Sequence, residues 1–146
     1  MSDPDEAESI CLDVLEVAPD NQDALITLIL SLTDNFSGSS MLASFEKSRD
    51  IVDNLDDQYC KSYYSGIIYE RRAKYHFREG SPGSGGIAYG WFSKAMKSFE
   101  EALAGCDPDN QDAVLRWNSC ARIINSRPDL GPDDIVTSET PLDAYD

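Results

Sequence analysis

The chain has 146 residues and a formal net charge of -15, from 27 acidic side chains against 12 Lys and Arg; that balance excludes nonspecific nucleic-acid binding, because neutralising phosphates takes a basic surface. A single domain of this length buries roughly two thirds of the surface its unfolded form exposes and folds without a crosslink. Cys11, Cys60, Cys106 and Cys120 lack zinc-ribbon or CxxC spacing, and all four fall in apolar-periodic stretches, so buried free thiols are expected, with no metal and no cofactor.

In chain order, Asp3, Pro4 and Glu6 make a capping box, and the stretch to Ala18 is a short amphipathic helix with Ala7, Ile10, Cys11, Val14 and Leu15 on its inner face. It ends at the hexapeptide Pro-Asp-Asn-Gln-Asp-Ala, residues 19–24, which returns at 108–113. Each copy reads as a helix stop followed by an N-cap and an acidic first turn. The second helix, about 21–36, is apolar around more than half its circumference and calls for cover on two sides. A breaker cluster at 36–40 precedes a third helix, about 40–55. The fourth, about 58–79, is over 30 Å long at ~1.5 Å per residue. Residues 80–86, with four glycines, are expected to be loop. The fifth helix runs about 87–105 and the sixth about 110–126, closed by Pro128. The domain spans 1–128, and 129–146, with six acids and no base, reads as an acidic tail, flexible or loosely docked.

Charge is unevenly spread. Residues 61–97 hold seven of the twelve Lys and Arg and two of the acids. A basic patch of Arg71, Arg72, Lys74, Arg78, Lys94 and Lys97 is therefore expected, either as ordinary solvated helix faces or as the receiver of an acidic segment, from a partner or from the chain's own tail.

The pattern resembles the tetratricopeptide repeat (TPR) family of helix-turn-helix units. Ala7, Cys11, Val14 and Pro19 hold the spacing of that unit's second helix, as do Ala95, Phe99 and Ala102, with Pro108 one residue late; Gly66 and Tyr69 fit the first helix. The two hinges stand 89 residues apart, which is no multiple of the ~34-residue unit, so the repeats are irregular. The resemblance implies an all-α, antiparallel helix-turn-helix array of about six helices, a TPR-like superhelix acting as a non-enzymatic scaffold. A groove lined by the second, fourth and sixth helices would receive a peptide or helix of a partner protein. The implied groove positions are Ile26, Leu30 and Thr33, then Tyr63, Ile67, Glu70 and Arg71, then Leu115, Ser119 and Arg122. Ile26 and Leu30 stand where chaperone-binding members carry Lys and Asn, so their carboxylate clamp is missing.

An apolar wall with Tyr63, Arg71 and Arg122 suits an aromatic-containing peptide with acidic flanks; equally, Ile26, Leu30 and Ile67 read as core of so short an array. The alternative role is a homodimer joined through exposed end helices. An enzyme or ligand-binding bundle is the weaker alternative. The lone His76 has no identifiable partner, the glycine stretch lacks the Lys-Ser/Thr ending of a P-loop, and Asp107, Asp109 and Asp112 lack the glutamate that closes a calcium loop. No signal-peptide pattern and no apolar run near the ~20 residues of a membrane span occur, so a cytoplasmic protein without a membrane partner is expected.

Overall fold

A computed structural model describes residues 4–131. Each apolar-periodic stretch is a helix, and among the described residues there are six α-helices and no strand: α1 (Pro4–Val17), α2 (Gln22–Asp34), α3 (Met41–Val52), α4 (Gln58–Glu79), α5 (Ser84–Ala104) and α6 (Asp112–Ser126). Short connections force neighbours back along one another. Every helix packs on the next in sequence, and α2 also packs on α4. No described helix is long and apolar enough to cross a membrane.

The hexapeptide copies start helices by different bonds. Asn21 caps α2 by accepting the Ala24 N–H at 3.0 Å. Gln22 ties that hinge to the α3–α4 turn, its Oε1 accepting the Asp56 N–H at 2.9 Å. In the second copy Asn110 accepts from the nearer Asp112 N–H at 3.0 Å, and Asp107 accepts from Asp109 at 2.9 Å. The preceding turn carries Cys106, half-buried and outside any helix, as Cys60 is half-buried within α4; only Cys11 and Cys120 match the expectation of buried thiols. The Asp3 cap lies outside the described residues.

Two apolar clusters form the core. One gathers Leu25, Leu28, Ile29, Phe45, Val52 and Ile68; the other gathers Ile67, Ala88, Phe92, Ala95, Phe99 and Cys120. Adjacent residues Ile67 and Ile68 of α4 thus serve different clusters, which makes α4 the wall between them. As its composition required, α2 is covered by α1, α3 and α4. At Gly66 the α4 backbone lies against Phe99 of α5, and a Cβ there would sit 2.5 Å from the ring. Ala95, Phe99 and Ala102 are all buried, so these spaced residues hold the α4–α5 hairpin together.

Three boundaries differ from expectation. The glycine loop is only residues 80–83, with Gly80 (φ 69°) and Gly83 (φ 83°) taking the left-handed turn. Ser84 and Gly85 are already helical because their smallness admits another segment: a Cβ at Gly85 would collide with the Asp129 carbonyl. Leu130 is buried in the second cluster. Asp129 and Leu130 therefore belong to the folded body and not to the tail; the rest of that segment, 132–146, lies outside the described residues. Finally, α3 stops at Val52, and Leu55 is buried from within the following turn.

Candidate functional site

The expected basic patch is divided by helical geometry, since positions three and four apart share a face and neighbours do not. Arg71, Lys74 and Arg78 turn toward α2 and α6, where they line a cavity of about 180 Å³ with Thr33, Asp34, Ile67, Glu70 and Arg116. Arg72 and Lys94 turn the other way. The Arg72 guanidinium lies 4.3 Å from the Phe45 ring centre and 4.1 Å from that of Trp91, and Lys94 Nζ lies 5.2 Å from both Tyr69 and Trp91. Lys97 is exposed on α5 and belongs to neither set.

Residues of α2, α4 and α6 thus line one cavity. Its floor is Glu70, only 2% exposed. One carboxylate oxygen, Oε2, meets Lys74 Nζ at 2.8 Å and Arg116 Nη1 at 3.6 Å. The other, Oε1, is buried and pairs with neither. Lys74 and Arg116 keep 41% and 42% of their side chains exposed, so both reach from the floor to solvent. Beneath them the Cys120 thiol is pushed up to about 12, first by burial and then by the Glu70 carboxylate. Arg116 loses basicity to burial but gains more from Tyr63 and Glu70.

Two arginines also serve the frame. Arg71 Nη1 donates to the Leu30 carbonyl at 2.8 Å and to Thr33 Oγ1 at 3.0 Å, and stands 3.9 Å from Asp34. Arg78 donates to the Phe36 carbonyl at 3.4 Å. Since α2 has no basic residue in its own last turn, α4 supplies the positive charge that a helix C-terminus favours.

Of the expected groove residues, Thr33, Ile67, Glu70 and Arg71 line the cavity, and Tyr63 stands behind it, supporting Arg116. Thr33, Ile67 and Glu70 are buried, and Ile26 and Leu30 are partly buried, packed against the two apolar clusters. The apolar cavity lies elsewhere, between α5 and α6, lined by Tyr89, Met96, Trp117 and Ile124 among others. On α6 the expected Leu115, Ser119 and Arg122 do not line the α2–α4–α6 cavity; Leu115 is 59% exposed. The groove assignment missed Asp34, Lys74 and Arg78 and, on α6, Arg116. One residue is about 100° of helix rotation; Ala113, Trp117, Cys120 and Ile124, which pack in the second cluster, form the apolar stripe of α6, and Arg116 falls beside it, toward α4.

His76 sits on the aromatic side of α4, where its Nε2 accepts from Arg72 Nε at 3.4 Å. Burial and then Arg72 lower its pKa. Among the described residues no three His, Cys, Asp or Glu side chains gather as a metal site. Compared with protein-family models, curated proteins and solved structures, the chain matches none.

Proposed function

We propose that the chain is a non-enzymatic, TPR-like scaffold that binds an acidic peptide of a partner protein in the α2–α4–α6 cavity. The observation that carries this reading is the convergence of Arg71, Lys74, Arg78 and Arg116 over two acids, Asp34 and Glu70, in a protein of net charge -15. A locally positive cleft in an otherwise negative surface concentrates negative ligands and repels them elsewhere. Lys74 and Arg116 already grip one carboxylate oxygen from two helices, and a peptide Asp or Glu would share the same donors from above. Arginine in a partly desolvated setting is a common energetic anchor. With Ile26 and Leu30 partly taken up by the two clusters, the selection rests more on charge than on aromatic anchors.

The test is fluorescence anisotropy with a labelled Asp- and Glu-rich peptide against the full chain. Replacing both Lys74 and Arg116 with Ala weakens binding about tenfold or more, the scale of two charge-assisted contacts. Glu70→Gln keeps the shape, removes the negative floor and tightens binding a few-fold. Residues 132–146 carry five acids and no base, so a chain lacking them binds the peptide more tightly if they compete for the cleft. Equal affinity in the wild type and the Lys74→Ala/Arg116→Ala chain, with both folded, would remove the cavity as the site.

A further inference from the structure

The inner face expected of α1 is only half occupied. Cys11 is buried and Leu15 packs against the first cluster, but Ile10, Val14 and Val17 are 57%, 38% and 87% exposed. These three recur at i, i+4 and i+7, so they fall within about 60° of one another on the helix surface. They form a stripe beside the contact with α2. An isolated exposed apolar residue is ordinary, but a helical stripe of three is the footprint of a missing neighbour.

The charges around the stripe say what that neighbour carries. Glu6 and Asp13 fall on its open edge, with Glu16 beyond them by the same helical geometry. The α1–α2 hairpin, residues 4–34, holds eight acids and no Lys, Arg or His. Lys47 of α3 reaches α1, 3.9 Å from Glu8. A second copy of the chain would set this acidic edge against its own duplicate, a like-charge arrangement that disfavours the isologous contact.

We infer that the exposed face of α1 docks an amphipathic helix with an apolar stripe and basic flanks, supplied by a partner protein. It is a second surface, opposite in sign to the α2–α4–α6 cavity and independent of it. The apolar stripe takes the partner's Leu or Ile side chains, and Glu6, Asp13 and Glu16 take its Lys or Arg heads, in the helix-on-groove mode of recognition.

The probes are two synthetic helical peptides of about twenty residues with leucine at i, i+3, i+4 and i+7, one flanked by lysine and one by glutamate. Anisotropy with the full chain is expected to show binding of the lysine peptide, weakening with salt, and none of the glutamate peptide. Ile10→Ser combined with Val14→Ser lowers affinity about tenfold or more, from the loss of two apolar contacts. Asp13→Lys lowers it several-fold without touching the stripe, while Lys74→Ala/Arg116→Ala leaves it unchanged. All three positions substituted on α1 are exposed, and circular dichroism checks that the variants fold.

Binding of the two peptides with equal affinity, or of the lysine peptide equally to wild type and the stripe variant, overturns the inference. So does a dimer in sedimentation that Val14→Asp dissociates, since the face would then belong to a second copy. Binding to anionic vesicles, lost on Val14→Asp, with no binding of the lysine peptide, would likewise overturn it in favour of a lipid surface.

Discussion

The two sides of α4 use the same residue type to opposite ends. On one side Arg72 is closed between Phe45 and Trp91, with Tyr69 stacked 5.7 Å from Trp91 and Lys94 over both rings. Its charge is spent on flat π faces, and it joins α3 to α5 across α4. On the other side Arg71, Lys74 and Arg78, with Arg116 of α6, converge on a cavity around one buried carboxylate. There the donors outnumber the acceptors. Adjacent residues of one helix are thus held in two ways, Arg72 by aromatic rings and Arg71 by carbonyl, hydroxyl and carboxylate oxygens beside a cluster of other cations.

Titration on the cavity side gives the largest contrast. The Cys120 thiol is raised from 9.0 to about 12, so the folded chain keeps this proton where the unfolded chain loses it. The resulting stability is complete below pH ~9 and is lost as pH rises toward ~12, up to about 4 kcal/mol at ~1.4 kcal/mol per unit. Melting curves between pH 8 and 11 would show a steeper fall in the wild type than in Cys120→Ala. Parallel curves would mean that the thiol is not enclosed beside Glu70.

The aromatic side is probed by Arg72→Ala, which removes two ring contacts and the packing of the aliphatic stem. Urea unfolding should report a loss of about 2 kcal/mol, while affinity for the acidic peptide stays unchanged. A loss of peptide affinity would show that the two faces are not separate. The smallest effect belongs to His76, whose pKa lies below its ordinary 6.5 because of burial and then Arg72. The folded state resists its protonation, so stability present above pH ~6.5 declines as pH falls below that value. A His76→Gln chain should show a flatter acid limb in thermal melts from pH 7 to 5. Acid thus loads the aromatic side through His76, and alkali loads the cavity side through Cys120.

The same division shows why part of the site was legible and part was not. Thr33, Ile67, Glu70 and Arg71 meet at the cavity because helical spacing alone puts 67, 70, 71 and 74 of α4 on one face. Arg116 was missed because the repeat resemblance implies Leu115, Ser119 and Arg122 on α6, and the helix stands about one residue of rotation from that register. Treating the basic residues as one patch failed for a related reason. Counting Lys and Arg along the chain gives local density, but residues 71 and 72 diverge by a helical step, and only the rings of Phe45 and Trp91 show where the second one goes. On α1, Ile10 and Val14 have the period of a buried face; among the described residues no helix stands there to bury them.

By itself the sequence determined the six helices, the turns between them and the placement of α4 as the longest, because backbone hydrogen bonding, capping and apolar period are local properties. The tertiary structure alone decided the rotation of α6, the burial of Glu70, the docking of Leu130 and the exposed edge of α1. Those depend on which neighbour occupies the space beside each helix, and a few tens of degrees of rotation decide whether a residue at the margin of a stripe meets a core, a cavity or water.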